Sequence, residues 1–129
     1  MPGSSAWIDG GVITYSNALK TVLADVPPAL IAEHGAVSEP VALALAAGVR
    51  ARCDTQVGIG ITGIAGPDGG TEAKPVGTVF VALHTPDLVA CRQARFVGDR
   101  AVVRQQSVSA ALDMLRLALT GQDPVGLAR

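Results

Sequence analysis

The run Thr62-Gly63-Ile64-Ala65-Gly66-Pro67-Asp68-Gly69-Gly70-Thr71 offers the first chemistry in this sequence. Four of its ten residues are glycine. Glycine tolerates positive φ and lets a ligand approach the backbone, so such a loop can turn its N–H groups toward an anion. No Gly-Lys-Ser/Thr follows, which excludes a Walker loop, and no helix obviously follows, which excludes a dinucleotide fingerprint. An ordinary long turn explains the composition equally well. Lys74, beside Pro75, is either a positive charge on the loop rim or a solvated lysine.

Two further places carry charge at positions where it can act. In Tyr15-Ser16-Asn17-Ala18-Leu19-Lys20 the tyrosine ends a predicted strand and the lysine lies one turn into a predicted helix. Such a lysine can reach back to a strand-end cleft; desolvated there, its pKa falls and it becomes a candidate general base. The alternative is a surface lysine beside a half-buried tyrosine. In Gly98-Asp99-Arg100, with Arg104 one turn on, a helix N-terminus coincides with a guanidinium, a pairing suited to phosphate or carboxylate. A capping Asp99 and a solvated Arg100 fit the same residues. His34 and His84 have no acidic or cysteine neighbours at ligand spacing, so no metal site is expected and no cofactor is implied. No Gly-x-Ser-x-Gly elbow exists, and Ser4, Ser5, Ser16 and Ser38 read as turn or cap residues.

The elements that must position these groups follow from periodicity and punctuation. Gly10–Ser16 reads as a short strand through Val12, Ile13 and Tyr15, and residues 17–23 as a short helix stopped before Pro27-Pro28. Pro28–His34 reads as a second helix ended by Gly35. Ser38 is a predicted N-cap, with Glu39 and Pro40 in the first turn of a helix to about Cys53 whose face is Val41, Ala44, Leu45, Gly48 and Val49. Residues 56–63 read as a strand whose glycines predict close packing on one face. A Gly/Pro-rich loop spans residues 65–75. Residues 77–85 and 88–97 read as a hairpin. Asp99 caps a final helix to about Leu119, with the stripe Val108, Leu112, Leu115, Leu119. The expected architecture is α/β, a mixed β-sheet packed with helices in layers, as a single domain over residues 1–120 with a frayed tail over 121–129.

A chain of 129 residues suits one domain. Hydrophobic residues are 49% and charged residues 16%, a globular balance, while aromatics are only 3%, so the core must be aliphatic and alanine-rich. The net charge of -1 argues against nucleic-acid binding. No apolar run reaches the roughly 18 residues of a membrane span, and Met1–Ser5 does not open a signal peptide. Cys53 and Cys91 form no CxxC pair; two buried, reduced thiols in a cytoplasmic protein are expected.

Six stretches in this order resemble the CinA C-terminal family: Pro2–Trp7, Gly10–Lys20, His34–Glu39, Thr62–Gly70, Lys74–Thr78 and Phe96–Arg100. Its stand-alone members are nicotinamide-nucleotide amidases. The resemblance implies hydrolysis of nicotinamide mononucleotide to nicotinate mononucleotide and ammonia, in NAD salvage. It implies that Lys20 activates a nucleophile, that Tyr15 and Arg100 stand at the catalytic site, and that the Thr62–Thr71 loop helps form the pocket. Thr62, Gly63, Ala65, Gly66, Gly69, Gly70, Thr71 and Lys74 are the candidate substrate and phosphate contacts, and a pyridine mononucleotide and a homodimer the implied partners. The family's nucleophile is a serine in Glu-Ser-Cys-Thr-Gly-Gly, placed before the Pro-Gly-Ser-Ser turn that here begins at Pro2. The first strand and helix of the family fold are thus expected to be lacking, and these residues alone to be inactive. The competing expectation is a catalytically inactive nucleotide-binding or scaffold domain.

Overall fold

The computed structural model describes residues 2–126. Its strands are β1 (Gly58–Gly63), β2 (Thr78–His84) and β3 (Val89–Arg95), joined as one antiparallel sheet in the order β1-β2-β3. Ile61 of β1 stands opposite Val81, and Val81 opposite Arg92 of β3. The helices are α1 (Asn17–Ala24), α2 (Pro28–His34), α3 (Glu39–Cys53) and α4 (Arg100–Leu119).

The central strand explains the layering. β2 is the aliphatic run Thr-Val-Phe-Val-Ala-Leu-His, buried from Thr78 to Leu83, so both of its faces need cover. On one face Phe80 and Ala82 meet Ala42 and Ala46 of α3. On the other, Val79, Val81 and Leu83 meet Val103, Ala111 and Met114 of α4. Ala24 and Val26, at the end of α1 and just beyond it, pack against Val41 and Leu45, outside α3. With so few aromatics the layers must approach closely, and glycine permits it. A β-carbon on Gly60 would stand 2.7 Å from the Ala46 nitrogen and 2.9 Å from the Leu45 Cβ. The close packing expected from the glycines of β1 is therefore present, against the backbone of α3.

Several expectations need correction. Residues 10–16 do not form a strand: Gly10–Tyr15 carries no secondary structure and Ile13 is 86% exposed. The residue types favour extension, but a strand exists only where a neighbour supplies its hydrogen bonds. In α3 the buried face is Val41, Ala42, Leu45, Ala46 and Gly48, wider than the expected stripe, because sheet and α1 cover it from two sides; Ala44 and Val49 are only half-buried. Ser38 occupies the N-cap position, yet its hydroxyl donates to the Gly35 carbonyl and makes no cap bond. In α4 the face against the sheet is Val103, Ser107, Ala111 and Met114, while Val108, Leu112 and Leu119 are exposed. Ser107 can be buried because its hydroxyl donates to the Val103 carbonyl at 2.7 Å. Cys53 is exposed and Cys91 half-buried, so the two thiols are not both buried.

Toward the end of the chain, where a frayed tail was expected, Arg92 donates to the carbonyls of Pro124 at 2.5 Å and Val125 at 3.2 Å. Residues 127–129 of that expectation lie outside the described residues. No described helix is long and apolar enough to cross a membrane.

Candidate functional site

The loop between β1 and β2 is built inward from its two ends. The Ile64 N–H donates to the Thr78 carbonyl, and the Gly77 N–H to the Ile64 carbonyl, which closes the neck. Thr71 and Lys74 then form a local turn: the Thr71 N–H donates to the Lys74 carbonyl and the Thr71 hydroxyl accepts from the Lys74 N–H. Gly66 has φ +82°, and a β-carbon there would press on the Val76 side chain, so this position requires glycine for both conformation and space. Among the described residues the N–H groups of Ala65, Gly66, Asp68, Gly69 and Gly70 make no hydrogen bond within the chain.

Three side chains hold this loop in place. The buried Thr62 hydroxyl donates to the Ala36 carbonyl at 2.7 Å. The Lys74 ammonium donates to the His34 carbonyl, the C-terminal end of α2, at 2.8 Å. Arg100 Nη1 donates to the Gly66 carbonyl at 3.2 Å. Asp99 caps α4 by accepting from the Val102 N–H, which sets Arg100 in the first turn, facing the loop. Of the residues singled out in the sequence, Thr62, Gly66, Thr71, Lys74 and Arg100 are thus brought together. Lys74 and Thr71 are engaged in building the loop, which alters the role expected of them as phosphate contacts.

Lys20 and Tyr15 belong to a second group. Lys20 is only 7% exposed, so it is not a surface lysine. Its ammonium donates to the Thr14 carbonyl at 2.8 Å, and burial pulls its pKa below the ordinary lysine value. Removing a cation from water without a counter-charge favours the neutral amine, the form able to accept a proton. Tyr15 is 84% exposed and makes no described hydrogen bond. No described hydrogen bond or ion pair joins Lys20 or Tyr15 to the loop or to Arg100. Among the described residues no His/Cys/Asp/Glu cluster suits a metal ion.

Two hollows flank β1, and nothing in the sequence pattern marked them. One, of about 510 Å³, lies between Ile61, Gly63 and Val79 of the sheet and Arg104, Ser107 and Val108 of α4. The other, a groove of about 730 Å³, separates residues 6–12 and Thr14 from Ile59, Gly60 and Ile61. Thr14, whose carbonyl holds Lys20, lines that groove. Such spaces arise between elements distant in sequence, so no local spacing announces them.

The CinA C-terminal domain matches residues 1–119. The chain belongs to the CinA C-terminal domain family. A CinA-like protein of Gemmatimonas aurantiaca is 54% identical over 129 residues, covering 98% of this chain and 30% of the relative. A CinA-like protein of Acidobacterium capsulatum is 52% identical over 119 residues, covering 92% of this chain and 29% of the relative. The chain therefore spans less than a third of these CinA-like proteins. Among solved structures, the competence/damage inducible protein CihA from Agrobacterium tumefaciens superposes with a TM-score of 0.89 at 37% identity, covering 93% of this chain and 73% of that one. A CinA superfamily protein from Klebsiella pneumoniae 700603 gives a TM-score of 0.89 at 31% identity, covering 94% and 76%. Strands, helices and their layering are thus those of the CinA superfamily.

Proposed function

We propose that this CinA-type domain is built to hold nicotinamide mononucleotide for hydrolysis of its amide, and that residues 1–129 by themselves bind the nucleotide without turning it over. The observation that carries the binding is the β1–β2 loop: five N–H groups without a hydrogen-bond partner among the described residues, held beside the Arg100 guanidinium and the first turn of α4. Unpaired amides and a fixed cation suit a phosphate, because each oxygen accepts charge-assisted hydrogen bonds at no cost in loop ordering. Lys20, buried and easily neutralised, is the group suited to take a proton from a nucleophile. Tyr15 and Thr62 stand at the same site in this reading.

Turnover needs a nucleophile, and the serines with defined contacts are engaged elsewhere. Ser16 accepts from the Leu19 N–H as the cap of α1. Ser38 and Ser107 donate to backbone carbonyls at 2.8 Å and 2.7 Å. None of the three hydroxyls hydrogen-bonds the Lys20 ammonium, whose described partner is the Thr14 carbonyl. This favours the inactive nucleotide-binding reading for these residues alone.

Calorimetric titration tests the binding, with nicotinamide mononucleotide against nicotinamide riboside as the phosphate-free control. The mononucleotide should bind more tightly and lose affinity as salt rises. Arg100→Ala should weaken it by about 1.5–3 kcal/mol, the range for a hydrogen bond to a charged group. Ammonia release should stay at the buffer level throughout. Equal affinity for the two ligands, or indifference to Arg100→Ala, would remove the anion site.

A further inference from the structure

The turn between α2 and α3 is held by side chains from three directions. Three successive carbonyls each accept from a different element. His34 accepts from the Lys74 ammonium at 2.8 Å, Gly35 from the Ser38 hydroxyl at 2.8 Å, and Ala36 from the Thr62 hydroxyl at 2.7 Å. Thr62 lies near the end of β1, Lys74 in the turn that closes the β1–β2 loop, and Ser38 at the N-cap position of α3. Gly35 allows this presentation. Its φ of +78° and ψ of 159° fall in a region essentially restricted to glycine, and a β-carbon there would stand 3.4 Å from the Lys74 Nζ.

Two of these donors bracket the loop. The five unpaired amides, from Ala65 to Gly70, lie between Thr62 and Lys74 in the chain, and both residues reach the same turn. Arg100 holds the loop near its start, at Gly66, so Lys74 is the tie near its end. Lys74 is half-buried and makes no ion pair among the described residues; its ammonium meets only the His34 carbonyl there. Ser38 is diverted to the same purpose. An N-cap hydroxyl ordinarily accepts from a first-turn N–H, but this one, 6% exposed, donates to Gly35 instead. The helix forgoes a cap bond and the turn gains a third tie.

We propose that the His34–Ser38 turn is the anchor of the anion loop, and that Lys74 and Ser38 are positioning residues for the nucleotide, acting through backbone carbonyls and not by touching phosphate. This role rests on the nucleotide reading of the loop and adds the source of its order. Amides already fixed in place need not be ordered by the ligand, so affinity rises without any new contact. A loop pinned to the turn also couples the two: a ligand that steadies the amides steadies residues 34–38.

The test combines calorimetric titration of the 129-residue chain with nicotinamide mononucleotide, over a range of salt, and hydrogen exchange by mass spectrometry. Lys74→Met keeps the aliphatic stem and removes the donor; it should weaken binding about tenfold. Its affinity should fall with salt as steeply as in wild type, whereas Arg100→Ala, which removes a phosphate contact, should flatten that dependence. Lys74→Arg keeps a donor and should stay within about threefold of wild type. Ser38→Ala carries no charge change and should weaken binding about threefold. In wild type the mononucleotide should slow exchange at residues 65–71 and 34–38 together, and Lys74→Met should uncouple the two. Should Lys74→Met fail to fold by circular dichroism, Ser38→Ala and the wild-type exchange pattern decide. Wild-type affinity in either folded variant, or protection confined to the loop, overturns the proposal. So does a salt dependence flattened by Lys74→Met as much as by Arg100→Ala, which would make the lysine a phosphate ligand. If the wild-type chain binds no mononucleotide, the nucleotide reading falls and the positioning role with it. If wild type binds and Lys74→Met binds equally well, only the positioning role falls.

Discussion

Replacing Gly60 by alanine tests the layer packing on which the site depends. Gly60 lies on β1 two residues before Thr62, and the β-carbon it lacks would fall among backbone atoms of α3, including the Ala46 nitrogen at 2.7 Å. Backbone cannot rotate away as a side chain can, so either the helix retreats or the strand bends. Overpacking of this kind costs about 1–3 kcal/mol, and rigid backbone neighbours place Gly60 at the upper end. Against this, alanine recovers about 0.5–1 kcal/mol of chain entropy. The net expectation is a loss of about 2 kcal/mol, or about 8 °C in Tm for a domain of this size. The control is Gly10→Ala, where nothing lies within 4 Å and φ is not left-handed. That variant should change stability by less than about 0.5 kcal/mol. Urea unfolding followed by circular dichroism measures both, with the slope expected to stay constant and the midpoint to fall only for Gly60→Ala. Wild-type stability in Gly60→Ala, or a larger loss in Gly10→Ala, would refute the claim that α3 rests on a glycine face of β1.

The remaining predictions concern titration and reactivity. Burial, followed by the nearby Glu39 charge, raises the Cys91 thiol to about 11, while Cys53 is exposed; a thiol reagent at pH 8 should label Cys53 rapidly and Cys91 only on unfolding, as peptide mapping will show. The Asp25 carboxyl is held below its ordinary value of 3.8 by its hydrogen bonds from Arg52, at 2.8 Å to each oxygen. The stabilisation from that pair is therefore present above pH 3.8 and lost as pH falls through the lower folded value; Arg52→Ala should return the carboxyl toward 3.8 in an NMR titration. For Lys20 the sign is opposite. Its folded pKa lies below 10.5, so the unfolded chain binds more protons between the two values and stability rises with pH across that window. Lys20→Met should abolish this rise in chemical-denaturation curves taken from pH 8 to pH 10.5, whereas a solvent-exposed lysine would show none in either protein.

Much of the fold was legible from local signals. Asp99 before Arg100, Gly35 after His34 and the aliphatic run from Thr78 to Leu83 mark a helix start, a helix stop and a buried strand, because capping, chain reversal and β-branching act within a few residues. The glycine loop was legible for the same reason. Tertiary structure decided the rest. The Val108–Leu112–Leu119 stripe is helical in period yet faces outward, since α4 is rich in Val, Leu and Ala all round and only contact with Val79, Val81 and Leu83 sets its rotation. Gly10–Tyr15 has strand-forming residues and no strand, because β-structure depends on a hydrogen-bonding neighbour that a sequence window does not contain. For Lys20 the sequence leaves open a desolvated base or a surface lysine, and only the folded chain, which sets its ammonium on the Thr14 carbonyl, decides between them. Its loss of water comes from surroundings that exist only once the chain has folded.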